Sequence, residues 1–316
     1  MKYLNRKIYI AGHKGMVGSA ISQQLKESGA SNIITATSKE LNLTNQKKTE
    51  DFFSKERPEV VIICAAKVGG ILANNKYRGQ FIYNNLQIAT NIIHASHLSA
   101  VKKLIFLGSS CIYPKEAKQP IKEEYLLSGH LEPTNEPYAI AKIAGVKMCE
   151  SYYREYNNNF YSIMPCNLFG ENDNYNLKTS HVLPALIRKF HEAKINKSPS
   201  VEIWGSGKPL REFLYTRDLA RGVELCINNV EAKDIYEQDI SHINIGSKDE
   251  VSIGELAKII KKITNFKGKI EFNKNKPDGT MRKKMNNSRI ESLGFKQNFS
   301  LEESIKICYN QAKTQW

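Results

Sequence analysis

RKIYIAGHKGMVGSAISQQLKESG occupies residues 6–29, and its order decides the fold. IYIA has the continuous apolar character of a strand buried on both faces. GHKGMVG then places glycines at 12, 15 and 18. SAISQQLKES has helical apolar spacing and stops at Gly29, a residue suited to the position just past a helix end. Glycine in such a turn lets backbone approach a pyrophosphate at a helix N-terminus. The spacing is GxxGxxG rather than GxGxxG. A glycine turn alone is a weak signal, and its place between a first strand and a helix is what gives it weight.

Working outward, further strands are expected at NIITAT (32–37), EVVIICAA (59–66), KKLIFLGSS (102–110) and FYSIMPCN (160–167). Helical patterns lie between them at 46–56, 83–99 and 138–157. This alternation predicts an α/β fold, a doubly wound parallel sheet of Rossmann type. HVLPALIRKFHEAK (181–194) reads as a helix outside the sheet order, VEIWGSG (201–207) as a strand and turn, and REFLYTRDLARGVELCI (211–227) as a strand running into a helix. After Ile243 the pattern changes, and a Lys-rich loop, KNKPDGTMRKK, follows at 274–284. The expected division is a dinucleotide-binding domain of residues 1–170 plus about 212–245, and a smaller α/β substrate lobe of about 171–211 and 246–316.

The 316 residues are 41% hydrophobic and 25% charged, with a formal net charge of +14. That composition fits a folded globular chain. The lysines are scattered, with no basic block interleaved with aromatics, so a nucleic-acid groove is not expected. The longest apolar stretch, VVIICAA (60–66), is too short to span a bilayer. No cleavable hydrophobic segment opens the chain, and a cytoplasmic protein is expected. None of the six cysteines has CxxC spacing, so neither a zinc site nor a thioredoxin-type motif is indicated, and a reducing compartment suits them.

Tyr138 and Lys142 are spaced i, i+4 and share a helix face. A lysine ammonium beside a phenol is expected to lower its pKa and make Tyr138 a workable acid/base. Ser109, on the loop after the fourth strand, can hydrogen-bond the same substrate oxygen. The three residues point to hydride transfer between a nicotinamide and a carbonyl carbon. Gly12, Lys14, Gly15, Met16, Val17 and Gly18 in the first turn, with Leu43, Ala65, Leu107 and Gly108 near later strand ends, are the expected cofactor contacts. An acid after the second strand suits NAD and a basic group suits the 2′-phosphate of NADP. Ser38 and Lys39 lie there, and Lys14 is nearby. None of them repels a phosphate, so NADPH is expected, with NADH left open.

These motifs resemble those of the extended short-chain dehydrogenase/reductases, and more closely the GDP-L-fucose synthases. The resemblance is carried by AGHKGMVGSAI, AAKVGGI, NNLQIATNIIHA, FLGSSCIYPKEAKQPI, LEPTNEPYAIAKIAG, SHVLPALIRKFHEA, WGSGKPLREFL and KPDGT, from residue 10 to about 280. It implies NADPH-dependent 3,5-epimerisation and C4 reduction of GDP-4-keto-6-deoxy-D-mannose. Cys111 matches the family's base and His181 its acid. Without the resemblance, Cys111 reads equally as packing and His181 as a helix-start residue. Lys189, Trp204, Arg211 and Asp278 match positions that hold the nucleotide sugar. Pro165, Asn167 and Leu168, with His181, match the nicotinamide pocket. Trp204 reads alternatively as core, and Arg211 as the partner of Glu212 or Asp218. The resemblance also implies a homodimer, through a four-helix bundle of the helices at 83–99 and 138–156.

The sequence departs from the family pattern at several places. Ser38 stands where an arginine is expected, and Lys14 where Arg is common. PDGTMRKKMN (277–286) replaces PDGTPRKLLD on the substrate side. This keeps open a C4-reductase of a GDP-4-keto heptose for capsule sugar synthesis. A non-catalytic dinucleotide-sensing regulator is a second alternative, at odds with the intact Ser109, Tyr138 and Lys142. A nucleotide-sugar dehydratase usually carries an acidic pair beside the catalytic serine, where this chain has Ser110 and Cys111.

Overall fold

The computed structural model describes residues 3–276 and 278–316, apart from the side chains of Ile71 and Leu72. Pro277, quoted above as part of the substrate-side loop, lies outside the described residues. The first half runs β1 (Ile8–Ala11), α1 (Met16–Glu27), β2 (Ile33–Ile34), α2 (Gln46–Glu56), β3 (Val60–Ile63), α3 (Ile71–Lys76), α4 (Arg78–Leu98), β4 (Lys103–Leu107), α5 (Glu136–Tyr156) and β5 (Phe160–Pro165). It continues through β6 (Asn167–Phe169), α6 (Val182–Ile195), β7 (Ser200–Trp204), β8 (Leu210–Tyr215), α7 (Thr216–Asn229), α8 (Lys233–Tyr236) and β9 (Ile243–Ile245). The chain ends with β10 (Glu250–Ser252), α9 (Ile253–Thr264), β11 (Lys269–Asn273), β12 (Arg282–Lys283), α10 (Ser288–Ser292) and α11 (Leu301–Ala312).

Six strands form one parallel sheet in the order β2-β1-β3-β4-β5-β9. Every residue of β1, β3, β4 and β5 is buried, because helices cover both faces. Strand order reverses between β1 and β3, so a crevice opens beyond their carboxyl ends. A second core gathers Phe169, Phe190, Phe213, Tyr215, Ile260 and Tyr309 around the remaining strands. There β8 is central: it pairs β10 antiparallel and both β6 and β12 in parallel. β7 pairs β11 separately.

Several boundaries differ from the sequence expectation: α4 starts at Arg78 rather than 83, and the strand expected at 160–167 ends at Pro165, with β6 pairing β8 instead. The first helix begins at Met16, with Gly15 as its extended N-cap, so Gly18 sits inside the helix rather than in the turn. β2 is only Ile33–Ile34, because the chain at Thr37 turns to bond Glu40, whose carboxylate accepts from the Thr37 amide at 2.7 Å.

Candidate active site

The first turn is built for close approach. Gly12 has φ +85°, and a Cβ there would lie 2.8 Å from the Ala65 nitrogen. A Cβ on Gly18 would lie 2.2 Å from the Gly12 carbonyl oxygen. The first turn of α1 carries no acidic residue, and its N-cap has no side-chain bond. Its amides are therefore available to an anion at the positive end of the helix dipole. His13 adds a buried Nδ1 without a partner among the described residues. This cradle fits a dinucleotide pyrophosphate. Lys14, Ser38 and Lys39 are exposed at its rim, while Met16, Val17 and Leu43 are half-buried beside it.

The catalytic candidates are set by β4 and α5. A Cβ on Gly145 would lie 2.5 Å from the Phe106 ring, so a small residue is needed for α5 to lie this close to β4. Tyr138 then stands in the first turn of α5, and Lys142 one turn on. Lys142 Nζ is 5.9 Å from the Tyr138 ring centroid and donates to the Leu107 carbonyl at 2.7 Å. The backbone leaves β4 through Gly108, where a Cβ would meet Met164 Sδ at 2.1 Å. Ser109 follows in extended conformation and opens a single 3-10 turn of residues 110–112. Its hydroxyl accepts from the Cys111 amide at 3.4 Å. One turn of chain therefore carries both Ser109 and Cys111.

The electrostatics follow from a crevice walled by protein. Burial pushes the Tyr138 phenol up, and the Cys111 charge adds to that. The expectation that Lys142 lowers the Tyr138 pKa is therefore corrected: desolvation outweighs the lysine. Burial also brings Lys142 down to about 8, against the opposing pull of Cys111 and Cys64. Tyr138 is consequently a phenol near neutral pH, a donor rather than a base. The Cys111 thiol is pushed up by burial, opposed by Lys283, the Ser109 hydrogen bond and Lys142.

His181 is the N-cap of α6 and its side chain makes no capping bond. It is open to solvent, yet protein surrounds it closely enough that desolvation lowers its pKa. The two observations agree for a group lining a cleft. Asn167 donates to the Glu212 carbonyl at 3.1 Å, which fixes β6 and, with Pro165 and Leu168, the far wall.

The four nucleotide-sugar candidates come from separate elements. Trp204 is 49% exposed on β7, which excludes the core reading. Lys189 and Lys276 approach its ring to 5.7 and 5.3 Å. Arg211 donates to the carbonyls of Thr280 and Leu210 at 2.5 and 2.7 Å. It pairs with neither Glu212 nor Asp218: Glu212 bonds Lys284 at 3.2 Å, and Asp218 accepts the amides of Asn298 and Phe299. Asp278 accepts from the Ser206 amide and hydroxyl at 2.8 and 2.7 Å, which lower its pKa. It ties its loop over the WGSG turn.

Sequence reasoning did not single out the support beneath the Ser109–Cys111 turn. Tyr113, buried, bonds His242 Nε2 at 2.6 Å and Asn244 Oδ1 at 2.5 Å. Glu123 accepts from the Asn244 amide at 3.1 Å and from Arg289 at 2.6 Å. Tyr113 lies inside the quoted CIYP, but its partners are more than 120 positions away, beyond any local pattern.

The NAD dependent epimerase/dehydratase family matches residues 8–246. The chain is 50% identical to a GDP-L-fucose synthase of Escherichia coli K12, over 96% of this chain and 95% of that protein. Among solved structures, a GDP-6-OMe-4-keto-L-xylo-heptose reductase from Campylobacter jejuni superposes with TM-score 0.94 at 41% identity, covering 99% of both chains. A GDP-mannoheptose C4 reductase from the same organism, solved with NADP bound, superposes with TM-score 0.89 at 43% identity, covering 98% of this chain and 99% of that one.

Proposed function

Because the chain belongs to the NAD dependent epimerase/dehydratase family, we propose that it converts GDP-4-keto-6-deoxy-D-mannose to GDP-L-fucose by 3,5-epimerisation and C4 reduction. The observation that carries this reading is the single 3-10 turn that presents Ser109 and Cys111 together beside Tyr138 and Lys142. A reductase needs only Ser109, Tyr138 and Lys142. A buried cysteine on the same turn adds a group that can take a proton next to a ketone.

Cys111, as thiolate, removes the proton from the carbon beside the C4 ketone, and the electron pair passes to the carbonyl oxygen as an enolate. Ser109 and Tyr138 hold that oxygen by hydrogen bonds. His181 returns a proton to the opposite face, and the enolate collapses to the epimerised ketone. Tyr138, a phenol at neutral pH, then protonates O4. The Gly12–Gly18 cradle would hold NADPH, which when bound would supply the hydride that C4 takes up. Arg211 suits the diphosphate, because a guanidinium offers a planar fork of donors.

Ser38 and Lys14 in place of arginines weaken the fork available to a 2′-phosphate, so some use of NADH is expected beside NADPH. A homodimer is supported by α4 and α5, which pack along each other and leave Tyr83, Leu98, Ile140 and Tyr156 exposed. None of the described helices is long and apolar enough to cross a membrane; with the reduced cysteines, this fits a cytoplasmic site of action.

The second reading is a C4 reductase of a GDP-4-keto heptose. It is favoured by the similarity to the heptose reductases. NADPH consumption with GDP-4-keto-6-deoxy-D-mannose and with a GDP-4-keto heptose, measured side by side, separates the two. A higher kcat/KM for the 6-deoxyhexose supports the first reading, and a higher value for the heptose replaces it.

A further inference from the structure

Three consecutive cations, Arg282, Lys283 and Lys284, stand at β12 and the residue after it. On one side β12 pairs with β8, placing Lys283 opposite Arg211. On the other it is sewn to the segment that follows the Ser109–Cys111 turn. Ile121 N donates to the Lys284 carbonyl at 2.7 Å, Lys284 N to Gln119 Oε1 at 2.7 Å, and Asn286 N to the Ile121 carbonyl at 2.8 Å. Two of the three cations are neutralised: Arg282 is bidentate to Glu250, and Lys284 pairs with buried Glu212 at 3.2 Å. Lys283, between them, has no carboxylate within ion-pair distance among the described residues.

We infer that Lys283 is the cation that eases loss of the Cys111 proton, against the burial that opposes it, and so assists the epimerisation half of the reaction. The inference rests on the reading of Cys111 as the base. It follows from alternation along the strand: Arg282 and Lys284 turn to their acids, and Lys283 turns the other way, into the crevice. Cys111 is faced by Lys283 from β12, by Lys142 and Tyr138 from α5, and by Ser109 on its own turn. Lys283 is faced by Cys111, by Arg211 and Glu212 on β8, and by Glu132 before α5. Burial opposes charge on both partners, and among the groups favouring the thiolate Lys283 comes first. Lys142 is already committed to the Leu107 carbonyl at 2.7 Å. Lys283 acts through Cys111 and is therefore a positioning residue.

The test titrates Cys111 without substrate. Iodoacetamide labelling of Cys111, followed by peptide mass spectrometry across pH, reads the thiol directly, with Cys111→Ser as the blank. Lys283→Gln should move the labelling midpoint up by about one pH unit, the effect of one nearby charge at partial burial. Lys283→Arg should restore it and guards against loss of fold. Deuterium exchange at C3 and C5 of the GDP-4-keto sugar, without NADPH, should fall about tenfold in Lys283→Gln at pH 7.5 and recover at higher pH. A midpoint equal to wild type in Lys283→Gln, with only the KM of the nucleotide sugar raised, overturns the inference and makes Lys283 a phosphate contact. A shifted midpoint in a protein whose wild type exchanges no deuterium upholds the inference about Lys283 and removes the epimerase reading instead.

Discussion

Tyr138 and Lys142 were legible from their i, i+4 spacing, but their protonation was not. The crevice desolvates both, leaving Tyr138 a phenol and Lys142 at about 8, and only the folded surroundings carry that information. The arrangement favours reduction, in which the phenol gives its proton to O4. Tyr138→Phe should therefore lower the reduction step by roughly 10²–10⁴-fold while leaving C3/C5 exchange measurable. The two half-reactions should also respond oppositely to pH. The Cys111 pKa is raised, so exchange should grow as pH increases and more thiolate forms. Lys142 loses its charge above about 8, so reduction should decline there. Parallel exchange and NADPH-oxidation profiles from pH 6.5 to 9.5 check this. Profiles that rise and fall together would sink the division of labour between Cys111 and Tyr138.

Among the elements, the first strand, glycine turn and helix could be read almost directly, because close backbone approach leaves glycine as the only fit. Gly18→Ala puts a Cβ against the Gly12 carbonyl, a backbone atom that cannot yield cheaply. NADPH affinity measured by calorimetry should fall at least about tenfold, or roughly 1.4 kcal/mol. β12 was illegible as a strand: two residues long, it exists only because β8 and residues 119–121 flank it. The sequence departure at Lys284 has a structural account in its pair with Glu212, whose carboxyl is pushed up to about 7 by burial against the pull of Lys284. A carboxyl raised in the fold gives stability that is present below its unfolded pKa, near 4.5, and lost as pH rises through 7. Lys284→Leu removes the cation and raises Glu212 further, so that loss extends to higher pH. The variant should be close to wild type at pH 5 and about 1 kcal/mol less stable at pH 8, because the loss continues for one further pH unit beyond 7 at roughly 1.4 kcal/mol per unit. Denaturant melts at the two pH values decide it, and an equal loss at both would contradict the account.

The whole molecule has two cores, and the candidate groups come from several elements: Ser109 and Cys111 from one turn, Tyr138 and Lys142 from α5, Trp204 from β7 and Arg211 from β8. Alternating strands and helices announced the parallel sheet, because a strand covered on both faces must be continuously apolar. The second sheet was less legible: β6, β8, β10 and β12 are short pieces joined by pairings far apart in sequence, and β6 and β8 fall within the stretches expected to belong to the dinucleotide-binding domain. Ser109, Cys111, Tyr138 and Lys142 stood within quoted motifs, whereas Lys283 and the Tyr113–His242–Asn244 support depend on that distant pairing. The exposed apolar side chains of α4 and α5 predict that Ile140→Glu lowers the molar mass found by light scattering from dimer to monomer. An unchanged mass would place any interface elsewhere. The central claim is that one crevice both epimerises and reduces. Its most direct test is turnover of GDP-4-keto-6-deoxy-D-mannose with NADPH in deuterated water, followed by NMR of the product. The account predicts GDP-L-fucose carrying deuterium at C3 and C5. Reduction without deuterium at those carbons would contradict it and leave a C4 reductase alone.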